Sequence, residues 1–485
     1  MTKQADLYQV NASMVSGLYP DEAETFNLLL RVWGEHADAN ETKQRYYDAH
    51  NRFSRLDLNI PDDLKSIEVV TGWAAKAVDS LAGRSVLKGF TAQGEQLPQA
   101  DELVEECGLF ELYEQAVVSE LIGPSFLTVS RGLPGEPPVI IGAYPAGAAS
   151  ALWDWRRKRI SAGLAIIDVT EDAGGCQRPS WVNMYTDAYT LTMRRSGNGR
   201  WGTERHANPI GRPLMEPLRY RPTLSRPFGK SRITRPVRSI IDRALGVALR
   251  TEVSAEFYTW PQRYLLGVDR KTAEDMARKK LQTYIDNMLL VTTNKNGDVP
   301  QYGQLTQMSM QPHTDHLQSL AKQFAGETCI PLSSLGIVFD NPSSAEAMEN
   351  GRMDLIIEAE ALNRGNAKSL AAVMRMALAA RQGKTLDELT DAERALQPRF
   401  ENPVRPSMAA RADYALKVAS SVPAYAQTPY FWRDLGYDEE DVGGITRQIR
   451  QAQAVQAAAN AAAMLAARTQ PPAPEGAEVT GEDTE

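Results

Sequence analysis

The chain has 485 residues and a net charge of −8, and 43% of its residues are hydrophobic. This length exceeds what one hydrophobic core normally supports, so we expect about two to four structural units. No stretch approaches the ~20 consecutive apolar residues of a membrane span, and the N-terminal residues lack the basic start and apolar run of a signal peptide. Three scattered cysteines exclude a disulfide framework or a paired-cysteine metal site. The composition therefore predicts a soluble protein that is made in a cytosol.

The charge is distributed unevenly along the chain. Residues 1–130 carry 10 Lys and Arg against 21 Asp and Glu, whereas residues 219–250 carry 9 basic residues against one acid, Asp242. The last 15 residues carry five acids and no base. An acidic protein is unsuited to wrapping nucleic acid tightly, but one basic belt suits a protein that touches DNA or a partner in one zone. Ordinary solvated faces explain the same pattern equally well.

The first part of the chain, residues 1–123, is predicted to be helical. Apolar residues recur at helical spacing in 23–33 and again in 63–81. From 125 to 195, short alternating runs separated by glycine-rich turns predict an antiparallel sheet. Residues 206–230 are rich in Pro and Arg and are predicted to form an extended linker across a surface.

A long helix is predicted over 233–258, where the apolar residues form one stripe. Thr234 is placed to cap this helix, and Pro236 suits its first turn, where a missing N–H costs nothing. A helix of this length would span ~36 Å, which is long for a globular protein.

Residues 259–307 predict a compact strand–helix–strand–strand unit. Its last two strands are joined through Asn296-Gly297, which is a strong signal for a tight hairpin. A second helix follows at about 314–324, and after it comes a loop. The unit therefore interrupts a pair of helices.

A very long helix is predicted over about 343–381, with Ser343 and Glu346 as its capping box. Gly351 and Gly365 each weaken this helix by ~1 kcal/mol relative to alanine, so kinks are expected at these positions. Shorter helices are predicted over 386–396, 409–420 and 438–468. The tail, 469–485, is rich in Pro, Glu and Thr and is predicted to be disordered.

Two fragments are similar to the end of a nucleotide-binding loop, Gly229-Lys230-Ser231 and Gly383-Lys384-Thr385. In both, a leucine (Leu224 or Leu378) occupies the position of the loop's first glycine, and neither fragment follows a predicted strand. The chain also contains no serine-elbow motif and no dinucleotide-binding turn. The sequence therefore predicts no ATPase and no catalytic site.

Two further groups of residues carry a weak functional signal. His313 and His316 could share one face of a helix as metal ligands, but no Cys or carboxylate pattern accompanies them, so structural histidines are the stronger interpretation. Trp153 and Trp155 beside the basic run 156–159 are typical of a nucleic-acid surface. A charged turn between two strands explains the same residues better.

Five phrases, in a fixed order, carry a resemblance to a known family. They are Phe228-Gly-Lys-Ser-Arg-Ile233 followed by Asp242, the insertion 259–307, Thr328-Cys-Ile-Pro-Leu332, Asn341-Pro-Ser-Ser-Ala-Glu-Ala347, and Leu435-Gly-Tyr-Asp-Glu-Glu-Asp441. Their order and spacing, over about residues 25–465, resemble the tailed-phage portal protein family in its actinobacterial-siphophage branch.

The resemblance implies an α+β, portal-type subunit with a helical and β-stranded wing, a two-helix stem, a small α/β clip, a long crossing helix and a helical crown. The implied boundaries are 1–230 for the wing, 231–258 for the first stem helix, 259–307 for the clip, 308–326 for the second stem helix, 327–344 for the tunnel loop, 345–384 for the long wing helix, 385–468 for the crown and 469–485 for the disordered acidic tail.

The same resemblance implies a homo-oligomeric ring, a dodecamer, that forms the channel for double-stranded DNA at one capsid vertex during packaging and ejection. The implied partners are the major capsid protein, the terminase large subunit and the head–tail adaptor, with no membrane, cofactor or metal. The protein would be made in the host cytoplasm and would reside at the portal vertex of the virion.

The implied tunnel loop supplies the candidate residues that face DNA: Ser333, Ser334, Leu335 and Asn341. The segment 327–344 contains no Lys or Arg. Strong phosphate contacts would brake DNA that has to slide, so a loop without bases suits a channel.

The implied clip supplies the candidate docking residues. These are Lys295, Asn296 and Asp298 at the hairpin tip, with Arg270 and Lys271 before the helix of the unit. The alternative is that the unit is only a seam between subunits.

Two other classes of function are weighed against the portal. Another structural virion protein, such as a connector or minor capsid component, would lack the helix–clip–helix order. An enzyme acting on nucleic acid or peptidoglycan would need a catalytic constellation, and none emerges from the sequence.

Overall fold

The computed structural model describes residues 7, 10–50, 69–92, 95–171, 175–197, 199–259, 263–266, 301–304, 309–336, 352–404, 408–437 and 439–468. The chain divides into two compact units, Met1–Pro403 and Val404–Glu485. Both contain helices, and the strands lie in the first unit, so the fold is a mixed α+β one.

The first unit contains eight described α-helices. In chain order they are α1 (Pro20–Tyr47), α2 (Trp73–Ala82), α3 (Pro98–Glu106), α4 (Leu109–Ile122), α5 (Arg235–Thr259), α6 (Gln311–Thr328), α7 (Met353–Gln382) and the single turn α8 (Asp391–Arg394). At the start of α5, the Thr234 hydroxyl accepts the Val237 N–H at 3.4 Å. The predicted cap is therefore present.

The described strands form four sheets. They are β1 (Leu87–Ala92), β2 (Glu95–Gln96), β3 (Ser125–Arg131), β4 (Val139–Pro145), β5 (Ala149–Asp154), β6 (Arg159–Glu171), β7 (Gln177–Tyr185), β8 (Tyr189–Arg195), β9 (Trp201–Ala207), β10 (Met215–Leu218), β11 (Arg263–Leu266), β12 (Gln301–Gln304) and β13 (Leu396–Phe400). The sheet orders are β13-β1-β2, β10-β3-β4, β11-β12 and the meander β5-β6-β7-β8-β9. All of the strand pairings are antiparallel, as predicted for 125–195.

The described residues of the first unit form one large hydrophobic core and two smaller ones on the meander. In the large core, α7 is buried over most of its length, with Leu370, Met374 and Leu378 almost fully enclosed. In the first smaller core, Phe26 and Trp33 lie on one face of α1 and pack with apolar residues of β6, β7 and β8. The third core, which includes Tyr185 and Met215, packs β5, β6 and β7 against β3 and β10.

Several helix predictions are confirmed with shifted ends. The helix predicted over 233–258 is α5, and the helix predicted over 314–324 is the longer α6. The very long helix is α7, which continues unbroken through Gly365. Its predicted capping box, Ser343 and Glu346, lies outside the described residues, and so does Gly351.

The helix predicted over 63–81 is present from Trp73 onward as α2, whereas 69–72 is not helical and 63–68 lies outside the described residues. Two other predictions were wrong. The linker predicted over 206–230 contains β10, all four residues of which are buried against β3. The helix predicted over 386–396 is a 3₁₀ turn, the short α8 and the first residue of β13.

Long-range pairing explains both errors. A short strand such as β10 or β13 is stabilised by a partner strand that is distant in the sequence, so the local sequence pattern does not predict it. The strand β13 pairs with β1, which also falsifies the purely helical prediction for 1–123. In β13 the buried residues alternate with exposed ones, as a strand with one buried face requires.

The second unit is helical among its described residues. It contains α9 (Met408–Ser421), α10 (Pro429–Leu435) and α11 (Glu439–Arg468). The helices predicted over 409–420 and 438–468 correspond to α9 and α11. The buried Phe431 makes edge-to-face ring contacts with Tyr425 and Trp432, and Trp432 makes a further one with Tyr437. The boundary before Val404 lies further along the chain than residue 385, where we expect the crown to begin.

Candidate functional site

The helices α5 and α6 form an antiparallel pair. A side-chain hydrogen bond joins them where Arg243 Nη2 donates to Gln323 Oε1 at 3.0 Å. Between the two helices in sequence lie β11 and β12, which pair with each other in antiparallel register. The helices therefore run out to a small sheet and back, as the order predicted for 233–326 requires.

A buried arginine holds the base of this helix pair. Arg232 lies three residues before the start of α5 and is 4% exposed. Its Nε donates to the Ala77 carbonyl oxygen at 2.6 Å, and its Nη2 donates to the Thr328 carbonyl oxygen at 2.5 Å. Its Nη1 lies 2.5 Å from Oε2 of Glu358, and its backbone N–H donates to the Leu121 carbonyl oxygen at 2.7 Å. One residue thus connects α2, α4, α6 and α7 to the start of α5.

Glu358 is the anion of this junction, and it is 6% exposed. Besides Arg232, its carboxylate accepts a hydrogen bond from the Tyr220 hydroxyl and pairs with Arg221 at 2.8 Å. Burial, together with the hydrogen bond to Glu358, raises the pKa of Tyr220 to about 12, although the Arg232 charge opposes the rise. The phenol is therefore a hydrogen-bond donor throughout the ordinary pH range.

The segment that follows α6 contains the predicted DNA-facing residues. Cys329 ends the helix in the left-handed conformation, with φ at 55°. A 3₁₀ turn, Leu332–Leu335, then exposes Ser333 and Ser334, while Leu335 is half-buried against the large core. Two hydroxyl groups therefore point away from the core beside the base of the helix pair. Asn341 lies outside the described residues.

The predicted docking residues of the insertion cannot be located in the same way. Arg270, Lys271, Lys295, Asn296 and Asp298 all lie outside the described residues. The strands β11 and β12, which flank this segment, are described and paired.

A buried carboxyl links α4 to α7. Asn366 Nδ2 donates to Glu120 Oε2 at 2.7 Å and to the Tyr113 hydroxyl at 3.1 Å. Burial raises the pKa of Glu120 to about 8, and the hydrogen bond from Asn366 limits the rise. The carboxyl is therefore largely protonated at neutral pH and acts as a neutral hydrogen-bonding group inside the core.

The residues that could carry chemistry are dispersed. Within the described parts of the chain, no three His, Cys, Asp or Glu side chains are close enough to share a metal ion. The basic run after Trp155 forms the turn between β5 and β6, as predicted, and Asp154 Oδ1 accepts the N–H groups of Arg156 and Arg157 at 2.9 Å each.

No described helix combines the length and apolar character that crossing a bilayer requires.

Sequence reasoning missed the arginine junction. Arg232 lies within the phrase that carried the family resemblance, but its pairing with Glu358 joins segments far apart in the chain. Tyr220 lies in the segment predicted to be a surface linker, where it is 4% exposed. Glu358 is one of several buried polar residues on α7, and the sequence pattern alone did not single it out.

Comparisons of the sequence with known proteins identify one family. Residues 136–428 match the family described as phage portal protein, SPP1 Gp6-like. The portal protein of Mycobacterium phage D29 is 26% identical over 415 residues, which are 81% of each chain. The portal protein of Mycobacterium phage L5 is 26% identical over 418 residues, covering 82% of each chain.

Solved structures give a weaker likeness. A chain from the virion of a native gene transfer agent particle has a TM-score of 0.44 and 11% identity, with 82% of this chain and 93% of that chain covered.

These matches define the class as a structural virion component, a connector rather than an enzyme family. The chain belongs to the phage portal protein family, and its place is the portal vertex of a tailed-phage virion.

Proposed function

We propose that the chain assembles into a closed ring, a dodecamer, whose central channel admits double-stranded DNA during packaging and releases it during ejection. The observation that carries the proposal is the antiparallel pair α5 and α6, ending in paired strands, in a chain of the portal family. Contacts between two different faces of one subunit generate a ring when the rotation closes, so a single subunit type suffices.

In this proposal α5 and α6 are the stem, and the insertion 259–307 is the clip. The segment 327–344 is the tunnel loop, α7 is the helix that crosses the wing, and the crown comes from the region 385–468. The arginine junction supports the assignment, because Arg232 and Glu358 tie the base of the stem to α7 through a rigid, buried contact.

The channel wall near the tunnel loop would be polar and uncharged. Ser333 and Ser334 are exposed, and the whole segment 327–344 lacks basic residues. Each Lys or Arg on a phosphate makes binding tighter and salt-dependent, which opposes sliding. Hydroxyl and amide groups, including that of Asn341, exchange hydrogen bonds with water and phosphate at little net cost.

The partners in this proposal follow from the position in the particle. The clip docks the terminase large subunit during packaging and the head–tail adaptor afterwards, and the ring is held at its vertex by the major capsid protein. The chain itself is made in the host cytoplasm and needs no cofactor.

Electron microscopy of the purified full-length protein tests the ring. We expect particles with a central hole and, by mass photometry, a mass that is a multiple of the 53.5 kDa subunit. A monomer at high protein concentration, over a range of salt concentrations, would contradict the proposal.

The tunnel loop is tested by adding charge to it. In rings that contain Ser333→Lys and Ser334→Lys, we expect DNA packaging to slow and to become more sensitive to salt. Ser333→Asn and Ser334→Asn are the matched uncharged variants and should package normally. Equal packaging by both pairs of variants would remove this segment from the channel wall.

The clip is tested by reversing charge at the hairpin tip. With Lys295→Glu and Asp298→Lys, we expect normal rings that no longer retain adaptor. If the insertion is instead a seam between subunits, the same variants will fail to form rings. Normal rings with undiminished adaptor binding would contradict docking at this tip, and Arg270→Glu with Lys271→Glu would then test the other candidate surface.

A further inference from the structure

The segment before α5 contains a closed turn that exposes a leucine. Leu224 is 91% exposed at the tip of this turn, which runs over residues 220–230. Thr223 and Arg226 exchange two backbone hydrogen bonds of 3.1 Å each, so Leu224 and Ser225 form the two-residue loop of a tight hairpin. An apolar side chain that is this exposed does not contribute to the hydrophobic core of its own subunit.

The turn is fixed at its base by further bonds. The Lys230 N–H donates to the Tyr220 carbonyl oxygen at 2.9 Å, and Arg219 Nη1 donates to the Pro227 carbonyl oxygen at 3.0 Å. Gly229 has φ of +77°, and a Cβ there would lie 2.3 Å from the Tyr220 carbonyl oxygen, so only glycine fits. Leu224 is therefore presented by a preorganised backbone, which reduces the conformational entropy lost when it binds a partner.

Basic residues surround the exposed leucine. Arg226 and Lys230 are exposed, and neither forms an ion pair with any residue that the structure describes. Arg221, at the other side of the turn, is already paired with Glu358 at 2.8 Å. A partner for this turn has to supply an apolar contact and negative charge.

The outer face of α4 has this chemistry. Phe110 is 41% exposed, and Glu114 lies one turn further along the same side of the helix. Glu111, next to Phe110, is also exposed, and neither glutamate forms an ion pair within the described parts of the chain. The turn and this face are exposed in the same subunit at the same time, so the turn does not cover the α4 face of its own chain.

We propose that the Leu224 turn of one subunit docks on the α4 face around Phe110 of a second copy of this chain. Leu224 would pack on the Phe110 ring, while Arg226 and Lys230 would face Glu111 and Glu114. The two surfaces differ, so the contact is heterologous and repeats from each subunit to the next around a ring. The inference rests on the proposed ring and specifies one of its interfaces.

One substitution and its matched control, both in the full-length protein, test this contact. Leu224→Asp should lower the ring fraction by more than tenfold at a subunit concentration at which the natural protein is mostly assembled. Trp155→Asp removes an aromatic side chain that is 61% exposed at another turn, and it should leave the ring fraction unchanged. Melting temperatures of the subunits should agree within a few degrees, because each altered side chain is exposed.

Charge reversal gives the sharper test. Arg226→Glu with Lys230→Glu, or Glu111→Lys with Glu114→Lys, should each dissociate the ring, and all four changes in one chain should restore it. Cysteines at Ser225 and Glu114, in a chain whose three natural cysteines are replaced by alanine, should form a disulfide between subunits under oxidation.

Each outcome separates this contact from the ring itself. If the natural protein forms rings but the four-residue reversal stays dissociated and no cross-link forms, the contact is wrong and the ring stands. If Trp155→Asp dissociates rings as strongly as Leu224→Asp, the effect is not specific and the contact is also wrong. If the natural protein forms no ring, the proposed function fails first.

Discussion

Arg232 and Glu358 form an ion pair of 2.5 Å at the base of the α5 and α6 pair, with residue exposures of only 4% and 6%. Such a pair gains little net stability over well-packed apolar side chains, because both charges lose their hydration. Removing one partner is different, since it leaves the other charge buried without compensation. The pair therefore makes the geometry at the base of the α5 and α6 pair strict: α5, α6 and α7 occupy one arrangement or the junction is broken.

The first prediction concerns the loss of this anion. Glu358→Gln should lower the free energy of unfolding by about 3 to 5 kcal/mol, because Arg232 then stays buried without a counter-charge. The matched control is Glu360→Gln on the same helix, where Glu360 pairs with Arg364 at 3.9 Å in solvent. That change should cost about 0.5 kcal/mol or less. Urea denaturation followed by circular dichroism measures both.

The comparison holds only between samples of equal oligomeric state, because assembly stabilises the folded subunit by mass action. Equal losses for the two variants would show that the buried pair is energetically equivalent to a surface pair, contrary to our interpretation of the junction.

The second prediction concerns pH. Glu120 has its pKa raised from 4.5 to about 8 in the folded protein, so the folded chain holds a proton that the unfolded chain releases above about pH 4.5. The contribution of this group to stability is complete below pH 4.5 and falls by up to about 1.4 kcal/mol per pH unit until it levels off near pH 8. Glu120→Gln keeps the shape and cannot ionise, so it removes this decline.

Thermal melting between pH 6 and pH 9 measures the effect. The melting temperature of Glu120→Gln relative to the natural protein should rise from pH 6 to pH 8 and stay constant above that. Glu24→Gln, an exposed carboxylate on α1, is the control and should show a constant difference. A flat difference for Glu120→Gln as well would contradict a pKa of about 8 for the buried carboxyl in the folded protein.

Local pattern in the sequence was sufficient for the long helices and for the meander. The stripe after Thr234, the alternating runs between 125 and 195 and the glutamine- and alanine-rich helix α11 are each determined within a short window of chain. The short strands β1, β10 and β13 could not be predicted in this way. Each depends on a partner that only the folded chain brings close, and tertiary pairing overrides local propensity there.

The same distinction applies to the site. Ser333 and Ser334 were named as accessible residues on the basis of the family resemblance, and the structure exposes both of them after α6. The junction of Arg232 with Glu358 could not be predicted, since a buried charge in the sequence is indistinguishable from an exposed one until its partner is known. Leu224 is exposed, in agreement with the surface linker predicted over 206–230, but the hairpin that presents it was not predicted.

The third prediction is that the protein does not hydrolyse ATP, with or without DNA. A phosphate-binding lysine needs a glycine-rich loop at the N-terminal end of a helix, where free N–H groups point at the phosphates. Gly383 instead lies after the C-terminal end of α7, and the Ser231 hydroxyl donates to the Leu121 carbonyl oxygen at 3.2 Å. Lys230→Ala and Lys384→Ala should therefore leave phosphate release at background. Turnover that disappears with either lysine would overturn this prediction.

The last prediction compares two glycines that differ in what surrounds them. Gly365 lies in the exposed middle of α7, with nothing within 4 Å of the position that a Cβ would take. Alanine there should raise the free energy of unfolding by about 1 kcal/mol, because glycine is the poorer helix former. Gly229 is the opposite case, with φ of +77° and a Cβ position 2.3 Å from the Tyr220 carbonyl oxygen.

Gly229→Ala should therefore lower stability by at least about 1 to 2 kcal/mol, the cost of alanine in the left-handed region, with the backbone clash added to it. Because the turn holds Leu224 in place, this variant should also assemble less well than the natural protein, whereas Gly365→Ala should assemble normally. Urea denaturation and mass photometry on the two variants check both parts. A Gly229→Ala protein of natural stability and assembly would show that the turn tolerates another backbone path, and that its rigidity is not what presents the leucine.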